Sequence, residues 1–235
     1  MGLTERGCNM LVVIEGVDGS GKETQSLELH KRLNQEGIQS FSIGFPRYSR
    51  ESSTMVKKYL NGDFGKDAKQ VDPYIASTFY ASDRYASYVE EFGFALDNGM
   101  VVIADRYTTS NMVHQAGKFD SKQEKDRFLD WLCAYEYELL KLPKPDLVIF
   151  LNMPLKDSLK LTSKRKSKDG VKNDIHEKDK QHLEDAYSNS LYVAEKYGWV
   201  SVDCIRDGSL RTIEDINNEI FKIVSDLLRK NKLIQ

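Results

Sequence analysis

Residues 10–24 leave this chain few folds to choose from. An unbroken apolar run, MLVVIE at 10–15, leads straight into GVDGSGKET at 16–24, and a helical pattern with Leu29 and Leu33 one turn apart follows. A short continuous apolar run reads as a strand buried on both faces. Glycines at 16, 19 and 21 let the backbone curl so that successive N–H groups point at phosphate oxygens, and the next helix presents its positive end to them. Lys22 adds a full charge for the β and γ phosphates. A glycine-rich strand-to-helix turn with no ligand has the same spacing, but the strand and helix on either side favour a nucleoside triphosphate loop made of Gly16, Val17, Asp18, Gly19, Ser20, Gly21, Lys22, Glu23 and Thr24.

More strands of the same kind follow at 100–104 (MVVIA), 146–151 (DLVIFL) and 199–202 (WVSV), with a weaker one at 39–44 (QSFSIG). Helical spacing separates them, as in Phe128, Leu132, Tyr135 and Leu139, and a last amphipathic helix is expected at 212–228 with Ile213, Ile216, Ile220, Ile223 and Leu227 inward. Alternating strands and helices predict an α/β fold: a five-stranded parallel sheet with helices on both faces and ligands at the carboxyl ends of the strands. Residues 164–172 (KRKSKDGVK) carry five basic groups and one apolar residue, and read as an exposed mobile loop.

With 235 residues, one domain spanning 1–235 is the expectation. The 34 basic and 36 acidic residues nearly cancel, so no overall field favours nucleic acid or an anionic membrane. Cys8, Cys133 and Cys204 are too few and too scattered for a disulfide framework or a zinc site, and no run approaches the roughly 20 apolar residues of a membrane span. Together with an N-terminus that lacks an apolar signal core, this predicts a cytoplasmic protein.

The loop departs from the usual pattern at Glu23, which stands where a Ser or Thr normally meets Mg²⁺; the hydroxyl comes one place later, at Thr24. A carboxylate is also favourable in the first turn of a helix, so Glu23 has a solvent-facing reading. Asp105 and Arg106 emerge from the 100–104 strand at the ligand-bearing edge. There Asp105 suits Mg²⁺, through water, or the orienting of Arg106, and Arg106 suits the transferred phosphate.

Asp18 within the loop, FPRY at 45–48, FYASDR at 79–84, DRYTTSN at 105–111 and a basic stretch followed by DIHE at 174–177 are each moderate signals. Jointly they make the chain resemble the thymidylate kinases from residue 10 to about 200. The resemblance implies the P-loop nucleoside monophosphate kinase fold, ATP with Mg²⁺ as donor, a deoxynucleoside monophosphate as acceptor, and a homodimer. It places Asp18 beside the acceptor sugar and near the metal, and Phe45, Arg47 and Tyr48 at the acceptor phosphate. Tyr80 and Arg84 fall at the base, with Ser110, Asn111 and Gln115 around it. A lid at about 163–176 would close over both nucleotides, and since the loop holds no arginine, Arg165 becomes the expected catalytic cation beside Lys22, Asp18 and Arg106. His114 stands where relatives carry a Tyr that excludes a ribose hydroxyl, and His176 replaces an aromatic. Two other readings stay open: a deoxynucleoside kinase, and a P-loop binding protein without catalysis. Aromatics around 74–89 and 121–138 suit either a contact face or core packing.

Overall fold

Every residue of β1 (Met10–Gly16) is buried, and its side chains alternate between two apolar layers. Met10, Val12 and Ile14 enter one layer; Leu11 and Val13 enter the other. A strand covered on both faces gains nothing from polar alternation, which is why the run is continuously apolar. Each such side chain taken from water is worth about 1.5–3 kcal/mol. The computed structural model describes residues 9–67, 69–169, 180–231 and 233, with the side chains of 164–169 and 180 excepted.

After β1 the chain runs through α1 (Lys22–Gln35), β2 (Ser40–Gly44), α2 (Thr54–Asn61) and α3 (Pro73–Ser87). A π turn at Tyr88–Phe92 joins α3 to α4 (Gly93–Asp97), and β3 (Val101–Asp105) and α5 (Thr108–His114) follow. Next come α6 (Lys122–Cys133), a second π turn (Ala134–Leu139), β4 (Leu147–Asn152), α7 (Leu155–Asp169), α8 (Lys180–Lys196) and β5 (Val200–Asp203). A small hairpin of β6 (Ile205–Arg206) and β7 (Ser209–Leu210) precedes α9 (Ile213–Lys230). The five predicted strands form one parallel sheet in the order β2-β3-β1-β4-β5. Leu29 and Leu33 of α1 pack with Ile216, Ile220, Val224 and Leu228 of α9 on one face; Phe92, Leu96 and Tyr107 cover the other. Asp72 caps α3 ahead of Pro73, Ser121 caps α6 and Thr212 caps α9, each side chain accepting from a first-turn N–H.

Three expectations are corrected. Residues 164–169, read as part of a loop, continue α7, because Lys, Arg and Ser have no propensity strong enough to stop a helix already under way from Leu155. Residues 170–172 of that stretch lie outside the described residues. Ile213 is exposed at the first turn of α9, before the buried stripe begins. Leu139 is 71% exposed, and Glu136 is buried in its stead. Four-residue steps from Phe128 and Leu132 put 136 inward, and the π turn, wider than 3.6 residues per turn, carries 139 away from that face.

Candidate active site

β1 and β3 lie side by side, and the segments leaving their carboxyl ends border a cavity of about 460 Å³. Its walls come from the loop (Asp18, Gly19, Gly21, Lys22, Glu23, Thr24), from β2 and beyond (Phe45, Tyr48), from α3 (Tyr80, Arg84), and from Asp105 through Gln115. The sheet edge thus gathers residues drawn from nearly 100 positions of sequence.

The loop turns because Gly19 and Gly21 hold φ of +79° and +90°. Gly19 also lies so close to α7 that an added Cβ would fall 2.6 Å from the Ser158 carbonyl oxygen. Lys22, the first residue of α1, folds back over the loop and donates to the Val17 carbonyl at 2.8 Å. Its Nζ is 4.0 Å from Asp18. Burial pushes its ammonium down to about 8, helped by the neighbouring Arg106 charge and resisted by Asp18, Asp105 and Glu15. Glu23 is exposed in the first turn, in line with its solvent-facing reading, although it also borders the cavity.

Arg106 has φ +66°, a left-handed conformation that costs an ordinary residue on the order of 1–3 kcal/mol. Its N–H donates to the Ile14 carbonyl at 3.1 Å, which ties the turn to β1. The guanidinium meets the Asp18 carboxylate, lies 3.9 Å from Glu15 and reaches Ser110 Oγ at 3.4 Å. Burial works against its charge, yet Asp18, Glu15 and Asp105 together raise its pKa. Glu15 is the hub that sequence reading missed. Fully buried at the end of β1, it accepts from Thr109 Oγ1 and Ser110 Oγ, both at 2.7 Å, and from the Gly16 N–H at 2.9 Å. Its signal was a carboxylate closing an apolar strand immediately before the loop.

Asp105 Oδ1 is buried with no hydrogen-bond partner. Burial raises the carboxyl's pKa, with Lys22 and Arg106 opposing. A buried carboxylate oxygen with unused acceptor capacity beside the loop fits a hydrated cation. No group of three or more His, Cys, Asp or Glu side chains able to hold a metal occurs among the described residues.

On the acceptor side, the buried Phe45 ring meets Phe92 edge-on at 6.1 Å, and Tyr80 stands edge-on to Tyr59 at 6.2 Å while facing the cavity. Arg84 is anchored by Glu136. Asn111 donates to the Ser77 carbonyl at 3.4 Å, and Gln115 Oε1 is buried without a partner. His114 lines the same wall; burial first, and then the Arg106 charge, lower its pKa to about 3, so the ring is neutral. Gly16, Val17 and Ser20 of the expected loop do not line the cavity, and on the acceptor side neither does Arg47: its guanidinium grips Glu91 of the first π turn at 2.7 and 2.9 Å, with Arg50 on the same carboxylate at 3.1 Å. Arg47 meets an acceptor phosphate only by leaving Glu91. The side chain of Arg165 and all of Asp174, His176 and Glu177 lie outside the described residues.

The cavity therefore joins a triphosphate loop to an aromatic, amide-lined wall, with paired cations and carboxylates between them. The chain is 33% identical over 143 residues to a thymidylate kinase of Mycobacterium tuberculosis, a stretch that is 60% of this chain and 65% of that protein. It is 30% identical over 150 residues to the thymidylate kinase of Homo sapiens, 64% of each chain. With a probable thymidylate kinase of Thermococcus onnurineus it shares 29% identity over 226 residues, 94% of this chain and all of that one. The match thus spans just under two thirds of the first two relatives and the whole of the third. The family model described as thymidylate kinase matches residues 14–220, from within β1 to within α9. Every residue of the cavity wall lies inside that span, and the chain belongs to the thymidylate kinase family.

Proposed function

We propose that this protein is an ATP-dependent thymidine monophosphate kinase, forming the diphosphate by in-line transfer of the γ-phosphoryl group. The observation that carries the reading is the Asp18–Arg106 pair, in which a loop that cradles the donor is joined by one ion pair to the wall that faces the acceptor.

Loop N–H groups and Lys22 hold the β and γ phosphates. An oxygen of the acceptor phosphate bonds to the γ-phosphorus as the bond to the β-bridging oxygen breaks, and charge moves onto ADP. No general base is needed, because a phosphate monoester with a second pKa of about 6 is already ionised near neutrality. Lys22 and Arg106 spread the charge of the transferring group, and Arg165 is the proposed third cation. Glu15 and Asp18 keep Arg106 over the loop at its strained φ. Mg²⁺ brought in with ATP would be held by Asp105, and by Asp18 once Arg106 shifts to phosphate, and would neutralise the donor's oxygens. Tyr80 faces the base, Arg84, Asn111 and Gln115 offer polar groups to its edge, Ser110 holds Arg106, Phe45 and Tyr48 border the acceptor phosphate, and Arg47 would join them on leaving Glu91.

The decisive assay is ADP release with thymidine monophosphate against thymidine as acceptor. Turnover of thymidine alone would make the protein a nucleoside kinase; ADP release independent of acceptor would make it an ATP hydrolase, and none at all would leave only a nucleotide-binding protein.

We also propose one domain, a homodimer and a cytoplasmic location. Ile75, Tyr85 and Val89 project from one exposed side of α3 and the π turn, and an apolar stripe of this kind suits a second copy. Sedimentation showing only monomer at micromolar concentration would refute the dimer. No helix among the described residues is long and apolar enough to cross a membrane, and Cys133 and Cys204 are free thiols; recovery in a membrane fraction would refute the location.

A further inference from the structure

Glu136 carries a full carboxylate into the interior, with no exposed surface, and takes no part in the chemistry described above. Its oxygens are nonetheless fully engaged. Oε2 accepts from Arg84 Nε at 2.7 Å and from Thr108 Oγ1 at 2.6 Å, and Oε1 accepts from Arg84 Nη2 at 2.5 Å. This is the two-pronged arginine–carboxylate arrangement, which fixes the plane of the guanidinium as well as its position. The third nitrogen, Nη1, points one N–H at the Tyr107 carbonyl at 3.4 Å. One N–H on each terminal nitrogen is left over, and Arg84, 2% exposed, offers them to the cavity.

The geometry is built rather than incidental. Glu136 follows Phe128 and Leu132 at four-residue steps, which puts it on the inward face of the helix as the π turn at Ala134–Leu139 begins. A buried ion pair gains little stability over apolar packing, and removal of one partner strands the other. A carboxylate at this inward position therefore needs a reason other than stability. Thr108 belongs to α5, the helix that also supplies Asn111 to the cavity and is followed directly by Gln115, so one carboxylate ties the base-facing parts of α3 and α5 together.

We propose that Glu136 is a positioning residue for base selection: it locks Arg84 so that only donor N–H groups face the base edge, favouring a ring carbonyl and opposing an amino group there. The inference rests on the reading of the cavity as a pyrimidine monophosphate site. A guanidinium has no acceptor atom and keeps its proton at any working pH, so an amino group finds only N–H facing N–H. A guanidinium free to turn would lose that discrimination, because selectivity built on buried polar groups depends on their fixed placement.

The test measures kcat and KM for thymidine monophosphate and deoxycytidine monophosphate, at saturating ATP, in the full chain and in Glu136→Gln and Thr108→Val. Glu136→Gln is expected to lower the keto-over-amino ratio of kcat/KM at least tenfold, chiefly by raising KM for thymidine monophosphate. Thr108→Val, which removes one hydrogen bond and spares the ion pair, is expected to lower the ratio about threefold. Loss of folded protein alone scales both substrates equally and leaves the ratio unmoved. A ratio within twofold of the parent in both variants overturns the proposal, and if Glu136→Gln does not fold, Thr108→Val decides by the same criterion. A parent chain inactive on both nucleotides refutes the kinase reading instead, and the ratio of their calorimetric Kd values then tests Glu136 by the same thresholds.

Discussion

Raising the pH should switch off the phosphate-loop lysine well before an ordinary lysine would titrate. Lys22 is buried against Val17 and Arg106, and its ammonium is held down to about 8. The charged fraction should then fall from about nine tenths at pH 7 to about one tenth at pH 9, close to a tenfold loss of the form competent to grip ATP. The profile of kcat/KM for ATP reports groups in the enzyme before ATP binds, so that parameter, measured by ADP release at saturating thymidine monophosphate from pH 6.5 to 9.5, should drop about tenfold between pH 7 and 9 on a single ionisation. Lys22→Arg will be slower throughout, but its guanidinium stays charged past pH 12 or so and its profile should lose the limb. Lys118 serves as the control. Burial lowers it to about 8 as well, but it is spent on the Tyr59 hydroxyl and the Val71 carbonyl, so Lys118→Met should keep the limb. A flat profile to pH 9.5, or a limb that survives in Lys22→Arg, would refute the assignment.

His114 should make the protein acid-sensitive. The unfolded chain protonates this residue near 6.5 and the folded one near 3, so stability present above pH 6.5 is lost as pH falls toward 3, by about 1.4 kcal/mol per unit and about 2 kcal/mol between pH 7 and 5. Urea unfolding at the two pH values should show His114→Gln less pH-dependent by that amount; equal slopes would exclude the idea. The two loop glycines should differ in what they tolerate. Gly19→Ala drives a Cβ to 2.5 Å from Thr162 Oγ1 and 2.6 Å from the Ser158 oxygen, whereas Gly21→Ala at φ +90° meets nothing within 4 Å. Both carry backbone strain, but Gly19→Ala should cost about 2 kcal/mol more in urea unfolding, of the order seen for overpacking, and equal losses would count against loop–helix contact.

The sheet was legible because parallel strands buried on both sides leave a run of apolar residues that nothing else in a soluble chain needs. All five strands fall within a residue or so of where the runs at 10–15, 39–44, 100–104, 146–151 and 199–202 put them. The loop was legible because its geometry is local. What stayed hidden depends on pairing at a distance or on a broken period. Arg47 and Glu91 lie 44 residues apart and no local pattern links them. Glu136 sits in a segment read for its apolar residues, Tyr135 and Leu139, and a charge one turn after Leu132 does not announce itself as buried; the π turn then carries Leu139 outward. Glu15 carried a signal, a charge at the end of a buried strand, but its three partners come from β1 and α5 folded together.

β1 is hydrogen-bonded to β3 on one side and to β4 on the other, without an exposed residue along its length. Its amides should be among the slowest in the molecule to exchange with solvent, opening only when the whole sheet does. The donor half of the site is thereby moored to the part of the protein with the least freedom to adapt. Whatever reshaping two nucleotides demand is left to the other walls: α2 and α3 on the acceptor side, and α7 where it rests against Gly19.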